Sequence, residues 1–93
     1  MRLDQFLRAS RLVVRRTLAQ ELCEAGAVLV NGVAARSART VRAGDEIAVR
    51  RRERLLTVRV LAVPTSKQTA RAEASGLYEI LSDTRLERDP LAD

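Results

Sequence analysis

There is no histidine, no tryptophan and only one cysteine, Cys23, in this chain of 93 residues. Without histidine there is no general base poised near neutral pH and no imidazole for a zinc site. A lone cysteine closes no internal disulfide and makes no thiolate cluster, so Cys23 reads as a small packing residue. Aromatic side chains are limited to Phe6 and Tyr78. That is too few for the exposed rings on which RRM- and OB-type surfaces stack bases. Gly26, Gly32, Gly44 and Gly76 stand singly, so no phosphate-cradling glycine loop is present. Asp45 and Glu46 are adjacent and on a strand would face opposite sides, a poor acid/base pair. No enzyme, metal site or cofactor is expected. No apolar run approaches a membrane span, and the charges at Arg2 and Asp4 are followed by no long apolar run. The expected location is the cytoplasm.

What is present is arginine. The net charge is +5, and 16 of the 17 basic residues are arginine, whose planar fork suits phosphate oxygens. The charge is unevenly spread. Residues 1–59 hold 13 arginines against six acids, whereas residues 60–93 hold four basic residues against six acids. The first part is therefore the one to meet a polyanion. The length predicts a single small core with few residues to spare for a buried catalytic pocket.

Leu3, Phe6 and Leu7 follow the three-four spacing of a buried stripe and predict a first helix over Arg2–Ala9. Gln5 and Arg8 then lie opposite that stripe, with Arg2 and Asp4 on its flanks, where Asp4 would help to orient Arg2 or Arg8. Ser10 is read as the break. A second helix is expected from Val13 or Val14 to Ala25, buried through Val14, Leu18, Leu22 and Ala25. Cys23 and Ala19 would face the first helix, and Gly26 would stop it. Arg16, Gln20 and Glu24 would project outward. Arg15 and Arg16 fall in the first turn, where the helix dipole disfavours cations by roughly 0.3–1 kcal/mol each. An anionic ligand reverses that cost, because helix N–H groups and guanidiniums would point at the same phosphate.

Strands follow at Val28–Val30, Val33–Ala35 and Glu46–Val49 and along Leu56, Val58 and Val60, with Asn31-Gly32 as a tight turn. Arg36, Arg39 and Arg42 recur every third residue in an exposed loop. Arg50–Arg54 would be a charged hairpin tip, read first as solvated, with an extra phosphate contact as the alternative. Pro64 ends the fourth strand. The division expected is a domain over residues 1–64 and a linker and tail over 65–93. The tail begins as a linker or weak helix to Ser75, docks through Leu77–Leu81, and ends in a frayed LERDPLAD.

Together, R-L-D-x-F-L, S-R-x-x-x-R-R-x-x-A, G-x-V-x-V-N-G and V-x-x-G-D resemble the S4-type RNA-binding domain over residues 1–60. The resemblance implies an α+β fold in which two N-terminal helices pack on a small, mostly antiparallel sheet, the alpha-L motif, with a short C-terminal tail segment. It also implies RNA held on a basic face of the helices and an adjoining loop. Arg2, Arg8, Arg11, Arg15, Arg16, Arg36 and Arg39 are the candidate RNA contacts, Arg2 and Arg16 foremost. Asn31 is a motif position read more readily as a turn residue.

Length and the Ala72–Tyr78 segment resemble the stand-alone S4 factors of bacterial ribosome-associated quality control. That resemblance implies binding to the large ribosomal subunit carrying obstructed peptidyl-tRNA, contacts to both rRNA and tRNA, and support of C-terminal tailing by an RqcH/NEMF-type protein. A monomer off the ribosome is expected. The rival readings are a heat-shock-type S4 protein that recycles nascent-chain-bearing large subunits, a general rRNA-binding assembly factor, and a protein adaptor acting through Leu77–Leu81.

Overall fold

A computed structural model describes residues 1–64 and 74–85. The linker expected beyond Pro64 lies mostly outside the described residues, as does the segment after Arg85. Helix α1 spans Leu3–Ala9 and α2 spans Arg16–Glu24. The strands are β1 (Val28–Val30), β2 (Val33–Ala34), β3 (Glu46–Arg51), β4 (Arg54–Val60) and β5 (Tyr78–Arg85), the last entered through a single 3-10 turn at Ser75–Leu77. They form one sheet in the order β2-β1-β3-β4-β5, with every pairing antiparallel. The expected α+β architecture is thus present, with a fifth strand where the sequence left helix or strand open.

Alternation places the core. Val28 and Val30 on β1, Ile47 and Val49 on β3, and Val58 and Val60 on β4 are all buried. Register aligns them in rows: Val30, Ile47 and Val58 lie across three strands, and Val28, Val49 and Leu56 form the next row. Leu3, Phe6 and Leu7 of α1 descend onto this face and have no exposed surface. Each such buried side chain stabilises the fold by about 1.5–3 kcal/mol.

The second helix departs from its expected face. Val14 is 74% exposed and Ala25 is exposed, while Ala19 and Cys23 are buried and Leu18 and Leu22 are half-buried. The helix starts at Arg16, so Val14 belongs to the connection, and its neighbour Val13 enters the core instead. Ala19 and Cys23, one turn apart, are small and let α2 approach α1 closely; the two leucines close the edge of the seam.

The end of α2 is set by Gly26 at φ +74°. The Gly26 N–H donates to Cys23 O at 3.1 Å and the Ala27 N–H to Leu22 O at 2.9 Å, which uses up two of the last helical carbonyls.

The apolar cluster expected to dock at Leu77–Leu81 is corrected residue by residue. Leu77 is buried and Tyr78 half-buried, but Ile80 is 58% exposed and Leu81 is also exposed. The segment is held by its ladder to β4, not by a plug of side chains. Val60 pairs with Tyr78 and Val58 with Ile80, and a register shift next to Val58 leaves Leu81 unpaired.

Candidate nucleic-acid interface

The N-terminus of α1 is tied down by the loop after β2. The N–H groups of Leu3 and Asp4 donate to Arg39 O (2.7 Å) and Ser37 O (3.2 Å), and the Val41 N–H donates to Met1 O (2.8 Å). Arg2 and Thr40 form a β-bridge, and the Ser37 hydroxyl reaches Glu24 Oε1 at 3.4 Å. Loop, start of α1 and end of α2 are thereby fastened together, which brings Arg2, Arg36 and Arg39 to one end of the helix pair. These first N–H groups of α1 are already satisfied by carbonyls, so the anion-binding argument does not apply to that helix.

Asp4 is the organising side chain. It is buried, with one carboxylate oxygen accepting from Arg2 Nε at 3.2 Å and from the Gln5 N–H at 2.9 Å. Its other oxygen accepts from Gln20 Nε2 of α2 at 3.4 Å. Arg2 is thus steered through its Nε alone, and its two terminal nitrogens stay available to a ligand. The expectation that Asp4 orients Arg2 agrees with this geometry. Gln20, placed in the sequence reading on an outer face, is half-buried and links the helices. Asp4, Gln5 and Arg8 of α1 and Arg16 of α2 line one small concavity where the helices meet.

The α1–α2 connection carries Arg11 and Arg15. The helix ends differ here. Arg11 occupies, after α1, the left-handed position that Gly26 occupies after α2: its φ is +60°, and its N–H donates to Arg8 O at 3.0 Å. A side chain with a Cβ is disfavoured there by roughly 1–2 kcal/mol. Ser10, buried, donates its hydroxyl to Leu7 O at 3.2 Å, and the Val13 N–H closes on Leu7 O at 3.1 Å. Ser10 is therefore a built turn and not merely the break that the sequence suggests. Arg15 is the N-cap of α2 with extended backbone and no side-chain cap, and the first turn holds no acid. Arg15 therefore stands where Ser, Thr, Asp or Asn would ordinarily cap, and Arg16 follows it in the first turn.

All seven candidate arginines are exposed. Arg2 pairs with Asp4; Arg8, Arg11, Arg15, Arg16, Arg36 and Arg39 have no carboxylate partner among the described residues. Asn31, with φ +52°, takes the turn role: its Nδ2 donates to Asp45 Oδ1 (3.1 Å) and its Oδ1 accepts from the Glu46 N–H (3.0 Å). Cys23 is buried, and burial, followed by the Asp4 and Glu24 carboxylates, pushes its thiol up to about 11. It is an inert packing group at neutral pH. Among the described residues no cluster of acidic or thiol side chains is placed to hold a metal, and no helix is long and apolar enough to cross a membrane.

Two helices laid on an antiparallel sheet, with arginines turned outward from both, define an S4-type domain. The family model of the S4 domain matches residues 1–47. The RQC P-site tRNA stabilizing factor of Streptococcus pneumoniae is 40% identical over 89 residues, 96% of this chain and 99% of that protein. The factor of the same name from Halalkalibacterium halodurans is 49% identical over 81 residues, 86% and 89% of the two chains. Among solved structures, the Heat Shock Protein 15 of Vibrio cholerae superposes with a TM-score of 0.79 at 31% identity, covering 88% of this chain and 82% of that one. The chain belongs to the S4-domain family, among the RQC P-site tRNA stabilizing factors.

Proposed function

We propose that this protein is a non-catalytic, cytoplasmic RNA-binding factor of ribosome-associated quality control. In this reading it binds large ribosomal subunits that carry obstructed peptidyl-tRNA and touches both rRNA and tRNA. It steadies the tRNA while an RqcH/NEMF-type protein extends the nascent chain at its C-terminus, and it is a monomer off the ribosome. The carrying observation is the set of outward arginines without carboxylate partners on the helix pair and its loop. Unpaired guanidiniums at the uncapped start of α2 and at a left-handed turn cost stability, and phosphate oxygens recover that cost. Arg8 and Arg16 form the centre of the contact, Arg2 is aimed by Asp4, Arg11 and Arg15 hold one end, and Arg36 and Arg39 the other. The names of the relatives, stabilizing factors of P-site tRNA, support the same reading.

The likeness to a heat-shock protein favours a second reading, recycling of dissociated subunits without tailing. The test is affinity purification of the tagged chain followed by analysis of the captured particle. Large subunits with peptidyl-tRNA and C-terminally extended chains are the expected result. Capture of subunits whose nascent chains carry no extension would favour recycling, and free rRNA alone would favour an assembly factor.

A further inference from the structure

The inner face of the sheet does not end where the helices do. At the far end of the β3–β4 hairpin, register sets Val49, Leu56 and Asp83 in one row across β3, β4 and β5, and Arg51, Arg54 and Arg85 in the next. Residues that pair directly in antiparallel strands share a face, so all three arginines lie on the side that carries the helices. The register shift beside Val58 produces this arrangement. By displacing β5 one residue it turns Asp83 and Arg85, instead of Ser82 and Thr84, to the inner side. These rows floor an open groove of about 950 Å³, walled by Leu12 of the α1–α2 connection and closed by Arg52 and Glu53 at the tip.

Three like charges in one cross-strand row repel each other. Two are offset: Arg54 Nη2 lies 2.8 Å from Asp83 Oδ2, and Arg85 Nη2 lies 3.6 Å from Glu53 Oε2. Arg51 and Arg52 have no carboxylate partner among the described residues, so the groove keeps a positive excess. Arg52 also holds a left-handed backbone, φ +51°, in a two-residue turn where glycine or asparagine is the usual choice. A residue with a Cβ holds that backbone only at a conformational cost.

We propose that this groove is a second RNA-backbone site, in which Arg51 and Arg52 grip phosphates of a strand crossing the end of the sheet. Arg54, fixed by Asp83, adds a third donor. The proposal rests on the RNA reading of the helix pair and extends it, because the wall residue Leu12 directly follows Arg11. An acidic protein segment fits less well. Protein hot spots centre on tryptophan, tyrosine and arginine packed in desolvated pockets, whereas no aromatic ring among the described residues lines this groove and its arginines stand exposed at an open rim.

The experiment uses the full chain and isolated large subunits bearing peptidyl-tRNA, with Kd measured across a salt series. Three paired variants are compared with the wild type: Arg51→Gln with Arg52→Asn, Arg51→Lys with Arg52→Lys, and Arg8→Gln with Arg16→Gln. The neutral tip pair is expected to weaken binding several-fold and to flatten the log–log salt slope by roughly 0.7–1.8, the loss of one or two phosphate contacts. The lysine pair should keep the slope. A photocrosslinker at position 52 should label RNA, and the labelled strand tells rRNA from tRNA. Should the neutral pair fail to fold, that crosslink decides. Unchanged Kd and slope in the neutral tip pair, alongside a weakened Arg8/Arg16 pair, would remove the groove and leave the helical interface standing. Weakened binding with an unchanged slope, or crosslinks to protein alone, would overturn the proposal in favour of a protein contact. If the Arg8/Arg16 pair also binds as the wild type does, the reading beneath it falls too.

Discussion

Arginines are held in two different ways in two regions of this molecule. Over the helices and the loop after β2 they project without carboxylate partners among the described residues, apart from Arg2, which is held through its Nε (3.2 Å from Asp4 Oδ1). Along β4 and β5 they are matched to acids across the ladder: Arg54 to Asp83 at 2.8 Å, Arg59 to Glu79 at 3.2 Å and, at the tip, Arg85 to Glu53 at 3.6 Å. Exposed pairs of this kind are worth about 0.2–1 kcal/mol and relieve repulsion within the sheet. Net charge alone would treat both groups as one basic surface. Pairing separates cations matched to acids within the sheet from cations left open, with Arg2 and Arg54 each paired to an acid and still turned toward a proposed RNA contact.

The largest break in that contrast should come at its centre. Replacing Arg8 and Arg16 together with Gln removes two charged hydrogen-bonding groups, each worth about 1.5–3 kcal/mol, and should weaken large-subunit binding roughly 100-fold or more. The melting temperature should stay close to wild type, since Arg16 leaves the positive end of α2 while Arg8 leaves the negative end of α1. Pelleting assays with ribosomal particles and thermal melts of the same preparations check both halves. A parallel loss of fold and binding would show that these arginines are not the free group they look to be.

Asp4 is where the two kinds of arginine meet, because there a paired guanidinium belongs to the binding face. Asp4→Ala strips the buried acceptor from Arg2, Gln20 and the Gln5 N–H, and should cost about 1–3 kcal/mol in urea unfolding. It should also weaken binding, through a misdirected Arg2. Asp4→Asn keeps one acceptor oxygen and should fall between wild type and Ala. Equal stability of all three would mean that the carboxylate holds nothing.

Arg11 sharpens the comparison by separating fold from function in one residue. Arg11→Gly relieves a left-handed backbone and should raise stability by about 1 kcal/mol, near 4–8 °C in Tm for a domain of this size. It should lower ribosome affinity several-fold. A variant that is both less stable and equally tight would place Arg11 among the structural cations.

Periodicity read α1 well because Leu3, Phe6 and Leu7 all meet one sheet face, and it put Arg8 outward for the same reason. It misjudged α2, a nine-residue helix on which more than one apolar stripe can be drawn. Leu18 and Leu22 outweigh Ala19 and Cys23 in hydropathy, yet close approach of two helices favours the small pair. The burial of Asp4 was not legible, since its second donor, Gln20, is sixteen positions away. Nor was the row of Arg51, Arg54 and Arg85. Alternation along β5 runs true only to Ile80, and the shift that re-aims Asp83 and Arg85 is fixed by the partner strand. Local pattern reaches as far as one element's own face; what a neighbour supplies lies beyond it.

The smallest effect is expected at Arg59, and it tests the other half of the contrast. Arg59 and Glu79 pair across β4 and β5 with both side chains about half exposed. Water screens them, and ordering two long side chains offsets much of the attraction. Arg59→Gln should therefore change unfolding free energy by less than about 1 kcal/mol and leave ribosome affinity and its salt slope where they were. Adding Glu79→Gln to Arg59→Gln should return part of even that small loss, because no unmatched acid remains. If Arg59→Gln instead weakened binding as Arg16→Gln is expected to, pairing with a carboxylate would not mark a cation as structural. The division between the two regions would then have to be drawn by position alone.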